Sequence, residues 1–408
     1  MTKLLLIHHA KNFESNDCYL SDDFFEANKQ LFGAQELDTW AGYRFLQHFG
    51  PTYRLQISHN LGKFQLIKDA EILKEASLDE SKTFSALPKI NYLNTFLKYW
   101  DTSIAFNSNR LLETLIQSII EEHRITLIWS DTQFYDAILP KLFPLVLRSV
   151  NFEPLHVMRE DPTKLRYVRR LGKIHSEKII SNSRTIVSIS PRDLDSYREL
   201  TDKEIEILPL RQLPFLVENH EKLDESTDDT ELSFPFVYFA GSNFDVKHNL
   251  DNLRDIIHRI APSLKSLHPN LKLLVFGHRF PSDLTYPDNV IRMYFRDDFY
   301  SIIRRSLAAI VPNPGGSGMQ SKVFEPLCLG IPLIAHPESL SGFPFYPGEH
   351  YLRGETVGDV FESINSVISS SVETAAISEN ALLLCKSIFR REFYNSTIAR
   401  VMHNASLR

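Results

Sequence analysis

The sequence predicts an α/β protein with two domains, each built on a mostly parallel, doubly wound sheet. Short apolar runs typical of buried strands alternate with helical stretches in both halves of the chain. A chain of 408 residues is also long for a single hydrophobic core. Between the halves, the stretch from Glu218 to Ser233 is acidic and lacks Phe, Tyr and Trp, which is typical of a solvated linker or a long surface loop.

The first half of the chain alternates between strand and helix patterns. Strands are expected at Lys3–His8, Tyr53–Ser58, Ile125–Ser130, Leu145–Val150, Thr185–Ile189 and Glu204–Leu208. Helices are expected at Gln35–Phe49, Arg110–Glu122, Thr132–Phe143 and Thr163–Ser181. Ligands of a doubly wound sheet bind beyond the carboxyl ends of its strands, so the loops after His8, Ser130 and Val150 are expected at the mouth of the site.

The second half repeats this alternation. Phe236–Ala240 predicts a strand, which is followed by a helix with apolar residues at helical spacing. Leu271–Phe276 and Val290–Tyr294 predict two further strands. The stretch Ser378–His403 is expected to be helical.

One stretch, Leu307–Ala335, carries the strongest functional pattern. It reads as a strand at Leu307–Val311, a glycine-rich turn at Pro312–Gly318, a helix from Met319 to Gly330 and a strand at Ile331–Ala335. The glycines allow the backbone to approach a ligand closely and to take positive φ. The turn matches neither the Walker A motif nor Gly-x-Gly-x-x-Gly, so by itself it is equally typical of a glycine turn in any α/β protein.

The start of this helix predicts an anion site. The first N–H groups of a helix have no partner within it, and the helix dipole favours negative charge there. Lys322 lies on the first turn and adds a cation. Glu325 lies one turn further along and is placed to accept hydrogen bonds from a ribose.

The segment GGSGMQSKVFEPLCLGIPLIA resembles the donor site of family 4 glycosyltransferases, a retaining class with the GT-B fold of two Rossmann-like domains facing a cleft. The resemblance implies that a glycine loop holds the diphosphate of a nucleotide sugar and that Glu325 holds the ribose. The loop residues it assigns to the donor are Gly316, Ser317, Gly318, Met319 and Gln320. Many members carry a sugar-contacting Glu where this chain has Ser317, a replacement typical of the glycine-loop subgroup.

The resemblance extends over residues 236–362. FAGSNFDVKHNLDNL resembles the first strand and phosphate-binding loop of the donor domain, which assigns to the donor Gly241, Ser242, Asn243 and Lys247. The Arg that the family carries after the glycine is Ser242 here. LKLLVFG and NVIRMYFRDDFYSII resemble the next two strands, so Gly277 and Tyr294 are expected to frame the base. Lys247 and Lys322 are expected to replace a metal ion, and neither a metal nor another cofactor is expected.

In the first half, LVLRSVNFEPLHVMRED resembles a segment in which relatives carry a His beside the donor sugar. Val150 occupies that position here, which leaves Asn151 and Glu153 as catalytic candidates together with Lys322 of the second half. An Asn and a Glu after a strand are equally typical turn formers and helix caps. For Asn151 and Glu153, a structural role in a turn and a helix cap is therefore the alternative to a catalytic role.

Composition narrows the class of protein. A net charge of −6 argues against nucleic-acid binding, which usually requires a basic excess. Cys18, Cys328 and Cys385 are far apart, and the histidines form no zinc motif. His8 and His9 point to opposite sides of a strand and cannot bind one ion together, so each is either a substrate contact or an interior histidine. No signal peptide and no long apolar run is visible, so a cytoplasmic protein is expected.

The basic helix at residues 164–178 has two interpretations. Its apolar residues Leu165, Val168, Leu171 and Ile174 form one stripe. In the first interpretation this stripe packs on the helix's own sheet and the basic face lies in water. In the second the helix contacts an anionic membrane surface, which would make the protein peripheral to the membrane. Gly172 inside the helix argues mildly against a well-formed surface helix.

These observations predict an N-terminal acceptor domain at residues 1–215, an acidic linker at 216–233, a donor domain at 234–384 and a C-terminal helix at 385–408 that crosses back. The predicted function is retaining transfer of a hexosyl or other glycosyl unit from a nucleotide sugar to a hydroxyl of a glycan or lipid-linked acceptor, in glycan or polysaccharide biosynthesis. Two alternatives stay open: a nucleotide-sugar epimerase, and a non-catalytic GT-B-like binding or scaffold protein.

Overall fold

The computed structural model describes residues 2–10, 19, 21–24, 34–58, 62–69, 71–77, 88–108, 110–225, 232–314, 318–369 and 371–407. This part of the chain divides into two compact units. The first unit draws on Met1–Arg211, Ser317–Met319 and Arg391–Arg408, and the second on Gln212–Gly316 and Gln320–Arg390. Each unit is built on one largely parallel sheet of Rossmann-like type, which confirms the predicted α/β class.

The described residues of the first unit form an eight-stranded sheet in the order β4-β3-β2-β1-β5-β6-β7-β8. Its strands are β1 (Leu4–His9), β2 (Thr52–Ser58), β3 (Lys63–Lys68), β4 (Glu71–Ser77), β5 (Leu127–Ser130), β6 (Leu145–Ser149), β7 (Thr185–Ser188) and β8 (Glu206–Ile207). The six strands expected from the sequence are present and pair in parallel. The sequence did not predict β3 and β4, which extend one edge in antiparallel pairing.

Helices of the first unit connect these strands. They are α1 (Ala34–Gln47), α2 (Pro88–Tyr99), α3 (Thr102–Phe106), α4 (Arg110–His123), α5 (Glu153–Glu160), α6 (Arg166–Ser183) and α7 (Leu194–Arg198). The predicted helix at Thr132–Phe143 is only a 3-10 helix over Gln133–Ile138. α4 turns Leu112, Ile116 and Ile119 inward at helical spacing. These side chains join the strand residues in a buried apolar core.

In the second unit, the part that the structure describes forms a six-stranded sheet in the order β11-β10-β9-β12-β13-β14. Its strands are β9 (Phe236–Asn243), β10 (Lys272–His278), β11 (Val290–Met293), β12 (Ala309–Val311), β13 (Leu333–Ala335) and β14 (Leu352–Arg353). All of its strand pairs are parallel, so the carboxyl ends of these strands lie at one edge. The register between β9 and β10 shifts at Phe276 and Gly277, where β10 approaches the end of β9.

The helices of the second unit are α8 (Leu213–Asn219), α9 (Lys247–Asp255), α10 (Ala261–Leu267), α11 (Phe299–Arg304), α12 (Ser321–Cys328), α13 (Val357–Ser369) and α14 (Ser371–Ile388). The start of the expected acidic linker is not a loop. α8 and a 3-10 helix over His220–Glu225 occupy it, and Leu216, Val217 and His220 are buried. Apolar residues at 213–217 anchor this segment, while residues 226–231 lie outside the described part of the chain.

The last helix, α15 (Arg391–Ser406), belongs to the first unit. It packs against β5, β6, β7 and β8. The Tyr394 hydroxyl donates a 3.1 Å hydrogen bond to the Leu210 carbonyl, and its ring stacks on Phe45 with centroids 5.4 Å apart. The helix begins at Arg391, six residues after the expected start of the C-terminal segment at Cys385, because α14 continues to Ile388.

Candidate functional site

The strand, turn, helix and strand of the glycine-rich stretch occur in the expected order as β12, a turn, α12 and β13. α12 begins at Ser321 rather than at Met319, because Gln320 has an extended backbone and is the N-cap residue. Gln320 makes no side-chain hydrogen bond to the helix, so this end carries no side-chain cap. Gly330 has φ +68° and ends the helix. Gly316 and Ser317 lie outside the described residues.

Lys322 lies on the first turn of α12 and is held by a residue of a neighbouring helix of the same unit. Its Nζ donates a 2.7 Å hydrogen bond to Oδ1 of Asn249, which lies in α9. Nδ2 of Asn249 in turn donates to the carbonyl of Asn243 at 3.1 Å. The Nζ atom also lies 5.4 Å from the centroid of the Phe239 ring. The ammonium is therefore fixed at the carboxyl ends of β9 and β12.

Glu325 is buried on the second turn of α12, with 7% of its surface exposed. Its Oε1 atom has no hydrogen-bond partner among the described residues. Burial raises the pKa of this carboxyl to about 7, and the Gln212 and Tyr300 side chains oppose that rise. A buried polar atom without a partner costs free energy, so a bound group that donated a hydrogen bond to Oε1 would be stabilised there.

Other buried polar groups of the second unit share this property. They include Oε1 of Gln320 and the Tyr238 hydroxyl, as well as side-chain oxygens of Asn252, Asn289, Ser306 and Thr374. The amide nitrogen orients the Gln320 side chain, because Nε2 donates a 3.0 Å hydrogen bond to the Pro314 carbonyl. Burial and the nearby Glu325 carboxyl both raise the pKa of Tyr238. Gln212, whose side chain lies beside the Glu325 carboxyl, is the N-cap residue of α8 and belongs to no motif, so only its polar character before an apolar helix could have indicated it from the sequence.

Gly241 and Gly277, two residues assigned to the donor, lie on the neighbouring strands β9 and β10 and pack against one ring. A Cβ at either position would overlap the Phe244 side chain. Both glycines are therefore required by the close packing of Phe244. Ser242 follows Gly241 with φ +59°, and the Oδ1 atom of Asn243 accepts a 2.9 Å hydrogen bond from the Asp245 N–H.

Lys247 is the first residue of α9, and its ammonium pairs with Asp251 one turn later on the same helix. Both side chains are 43% exposed, and a solvent-exposed pair of this kind contributes little stability. Lys247 and Lys322 thus have different partners, Asp251 and Asn249. Of the two lysines assigned to the diphosphate, Lys322 is the one held by an interaction from another element.

Tyr294 follows β11 and is 65% exposed. Its ring centroid lies 5.7 Å from that of His278 and 6.0 Å from that of Phe280. An exposed aromatic ring that packs against other aromatic rings is suited to stacking on a flat base. The sequence interpretation included Tyr294 and missed His278 and Phe280, although an aromatic residue soon after a strand was the available signal.

In the first unit, β6 ends at Ser149 and leads into the predicted catalytic segment. Gly318, with φ +75°, packs here: a Cβ on it would overlap the Val150 carbonyl and approach the side chain of Asn151. Met319 also packs in this unit, where its sulfur accepts a hydrogen bond from the Leu210 N–H at 3.5 Å. Asn151 and Gly318, assigned separately from the sequence, are therefore neighbours.

Glu153 begins α5 and takes part in a buried ionic network that the sequence did not indicate. Nζ of Lys173 lies 3.4 Å from Glu153 Oε2 and 2.9 Å from Asp101 Oδ2. Burial and the Glu153 carboxylate raise the pKa of Glu177 to about 8. Nε2 of Gln133 donates to Glu177 Oε1 at 2.5 Å. Glu153 is thus paired within this network.

A second buried network lies at the carboxyl ends of β1, β5 and β6. Arg148 binds Asp38 through two hydrogen bonds of 2.6 and 3.0 Å. Arg211 bridges Asp38 and Asp131, with distances of 2.9 and 2.7 Å from Nη2. His8 is buried beside it with neither ring nitrogen hydrogen-bonded among the described residues, and burial holds its pKa well below the usual range. His8 is therefore an interior, neutral histidine.

The described part of the chain has neither a metal-binding cluster nor a membrane-spanning helix. No group of three His, Cys, Asp or Glu side chains is arranged to hold a metal ion in that part of the chain. None of its helices has the length and apolar character needed to span a bilayer.

Comparison with known proteins gives a match in structure and not in sequence. No protein family model matches the chain, and no curated protein is significantly similar to it. Anabaena HepE in complex with UDP and glucose is 13% identical with a TM-score of 0.59, covering 99% of this chain and 100% of HepE. Sucrose-phosphate synthase from Thermosynechococcus elongatus is 11% identical with a TM-score of 0.62, covering 99% of both chains. The fold is that of the GT-B glycosyltransferases.

The structure of this chain also resembles that of an enzyme from a different class. UDP-GlcNAc 2-epimerase from Neisseria meningitidis bound to UDP-GlcNAc is 10% identical with a TM-score of 0.53, covering 98% of this chain and 100% of that one. At such identities the likeness shows the fold alone. The predicted GT-B class is confirmed, whereas family 4, its glycine-loop subgroup and the individual site residues remain predictions.

Proposed function

We propose that this protein transfers a glycosyl unit from a nucleotide sugar to an acceptor hydroxyl. The observation that carries the proposal is the buried Glu325 carboxyl, whose Oε1 has no partner among the described residues. It lies on the second turn of a helix that follows a glycine-rich turn. HepE, which shares the fold, has been solved with UDP-glucose, and sucrose-phosphate synthase shares it as well. A ribose hydroxyl is the donor that the Glu325 oxygen lacks.

The diphosphate would bind at the amino end of α12. This end has no side-chain cap and carries Lys322 on its first turn. Main-chain N–H groups and an ammonium together neutralise a diphosphate without a metal ion. As the bond to the sugar breaks, the diphosphate gains negative charge, and a cation held in place stabilises that charge best. Asn249 keeps the ammonium in position through its 2.7 Å hydrogen bond.

The base would stack on Tyr294. The ring is largely exposed and is supported by His278 and Phe280. Base stacking on an aromatic ring is tolerant of base identity. Selection of one base would then come from polar groups of the backbone around Gly277, in the loop after β10.

The finer assignment to family 4, with retention at the anomeric carbon, rests on the sequence resemblance. The acceptor, a glycan or a lipid-linked sugar, would bind at the first unit, where Asn151 and Glu153 follow β6. The Lys173 contact holds the Glu153 side chain in place, which suits it to orienting an acceptor hydroxyl. In this scheme the chemistry is driven mainly by the leaving group and Lys322.

A nucleotide panel followed by turnover assays tests the proposal. The purified protein is titrated with UDP, GDP, ADP and CMP in a calorimeter, and the matching nucleotide sugars are then incubated with a panel of glycan acceptors. Binding of one nucleoside diphosphate, together with acceptor-dependent release of it, is the expected result. No binding of any of the four would contradict the proposal.

The same assays separate the alternatives. An epimerase, favoured by the likeness to the Neisseria enzyme, converts the nucleotide sugar without an acceptor and does not release the diphosphate first. A binding or scaffold protein binds the nucleotide sugar and leaves it unchanged with every acceptor. The three functions therefore differ in one measurement, the fate of the sugar nucleotide with and without acceptor.

A further inference from the structure

The first half of α6 carries its apolar side chains outward. Leu165, Val168 and Leu171 are 58%, 67% and 63% exposed. The buried residues of the helix are mostly polar: Gly172, Lys173, Ser176, Glu177, Ile180 and Ser181. A surface helix ordinarily turns its apolar stripe to the core. Of the two interpretations of this basic helix, packing of the apolar stripe on its own sheet is therefore wrong.

The inverted orientation is fixed by the polar face. Lys173 is bound to Asp101 at 2.9 Å and to Glu153 at 3.4 Å, and Glu177 accepts the 2.5 Å hydrogen bond from Gln133. Rotating the helix to bury its leucines would break these buried contacts. Breaking such contacts leaves charged groups buried without partners, which is strongly unfavourable. The exposure of the apolar stripe is thus imposed by the packing of the unit.

The carboxyl end of α2 extends the same surface. The backbone of Trp100 lies against Gly172, where any Cβ would overlap the Trp100 carbonyl, which explains the glycine within the helix. The Trp100 ring stacks on His175 with centroids 4.8 Å apart and is 57% exposed. Leu97 lies nearly one turn before it on α2 and is 60% exposed. We call the surface formed by Leu97, Trp100, Leu165, Val168 and Leu171 the apolar face.

Basic side chains flank the apolar face. Exposed or half-exposed cations on or next to α6 are Lys164, Arg166, Arg169, Arg170 and Lys178. The acidic residue within α6, Glu177, is buried, and of the exposed cations Arg169 is paired with Asp161 at 2.6 Å. The whole chain has a net charge of −6, so this cluster is a local feature against an acidic background. Arg166 lies over the exposed ring of Tyr167, with its guanidinium 5.2 Å from the centroid.

We propose that the apolar face binds the surface of an anionic lipid bilayer. Leucine and tryptophan side chains beside basic residues form the combination that lies in the headgroup region, where the chains enter the acyl boundary and the cations meet lipid phosphates. The polar side of α6 contacts Glu153, which follows β6. If the proposed transfer activity is correct, a lipid-linked acceptor would thus be presented next to the acceptor side. Membrane binding itself does not depend on that activity.

Vesicle sedimentation tests the proposal with full-length protein. Vesicles of phosphatidylcholine alone are compared with vesicles of phosphatidylcholine and phosphatidylglycerol in equal parts. Wild-type protein should bind the anionic vesicles, and raising the salt to about 0.5 M should release most of it because exposed charges are then screened. Val168→Asp should weaken binding about tenfold or more, because a charge enters the face that meets the acyl boundary.

Val372→Asp is the matched control, since Val372 is an 81% exposed valine on α14 of the other unit. It should bind vesicles like the wild type, and circular dichroism confirms that both variants are folded. Equal binding of the two variants, equal binding to neutral vesicles, or no binding by the wild type would each overturn the proposal. A change in the sedimentation mass of Val168→Asp without vesicles would also overturn it, because the face would then join copies of the chain.

Discussion

Lys322 donates a 2.7 Å hydrogen bond to Oδ1 of Asn249 and thereby joins the first turn of α12 to the first turn of α9. Asn249 is anchored in turn by the carbonyl of Asn243 at 3.1 Å. Both helices follow strands that lie next to each other, β12 and β9. The bond thus places one cation at the edge where the two phosphate-binding elements of the proposed site meet.

Replacing Lys322 tests whether this cation acts on the leaving group. Lys322→Ala should lower kcat by about 10²–10³ with a smaller change in donor affinity, because the diphosphate is more negative in the transition state. Lys322→Arg should recover part of the rate, since it keeps the charge but spreads it over a planar group. Steady-state kinetics at saturating donor measure both. Lys265→Ala, at an exposed pair with Asp288, is the control. A kcat within about threefold of wild type for Lys322→Ala would remove Lys322 from the mechanism.

Replacing Glu325 tests the ribose contact. Glu325→Ala should weaken nucleoside-diphosphate binding by about 1.5–3 kcal/mol, roughly tenfold to a hundredfold, because the hydrogen bonds to the ribose are lost. The fold should remain, and calorimetry on the purified variant measures the affinity. Glu362→Ala, at an exposed position on α13, should bind like the wild type. Equal affinities for the two variants would exclude Glu325 from the site.

Treatment with a chelator tests whether turnover requires a metal ion. We expect turnover to survive treatment with EDTA, because Lys322 and main-chain N–H groups are assigned the charge that a divalent cation supplies in other sites. The assay compares initial rates before and after dialysis against the chelator. Loss of turnover that added Mg²⁺ or Mn²⁺ restores would contradict this assignment.

Glu177 should make the stability of the first unit depend on pH. Its pKa is 4.5 when solvated and about 8 in the fold. Between these values the unfolded carboxyl has lost its proton and the folded one keeps it, so the free energy of unfolding falls as pH rises. This contribution is fully present below pH 4.5 and lost by about pH 8. Its slope is at most about 1.4 kcal/mol per pH unit.

Glu177→Gln removes the titrating group and should flatten that slope. Urea unfolding of the first unit, followed from about pH 5 to about pH 8, measures it. Glu199→Gln, at an exposed position after α7, should keep the slope of the wild type. If all three proteins show the same slope, Glu177 does not hold its proton in the fold.

Gly42 tests the buried network around Arg211. An alanine methyl there would overlap the guanidinium, which Asp38 and Asp131 hold in place. Gly42→Ala should therefore lower stability by about 1–3 kcal/mol. Gly358→Ala on α13 is the control, because its Cβ would meet Thr356 Oγ1 at 3.6 Å, and it should add about 0.5–1 kcal/mol. Thermal unfolding compares the two, and equal melting temperatures would contradict the packing described.

The strands were predictable because apolar runs report burial directly. Every residue of Leu4–Ile7 is fully buried, and β12 is buried along its whole length. β4 gave no such signal, since all of its residues are exposed and the strand is held by main-chain hydrogen bonds at an edge. Periodicity therefore identified the centre of each sheet and missed β3 and β4 on one side of the first sheet and β14 at one edge of the second.

The buried polar networks could not be predicted from local patterns. Asp38 and Arg211 are 173 residues apart in the chain, and no motif joins them. In α6 the apolar stripe was visible in the sequence, but the side to which it faces is decided by Lys173 and Glu177 and their distant partners. The glycine turn, Lys322 and Glu325 could be predicted because they lie close together in the sequence and form one local motif.

The position of α15 has a consequence for synthesis on the ribosome. The strands of the first unit emerge early, whereas α15, which covers β5 to β8, follows after residues 212–390 have formed the second unit. At about 5–20 residues per second, the interval between Arg211 and Tyr394 lasts roughly 10–40 s. During it Phe45 lacks the ring on which it stacks. The nascent first unit then exposes the apolar surface that α15 covers in the complete fold.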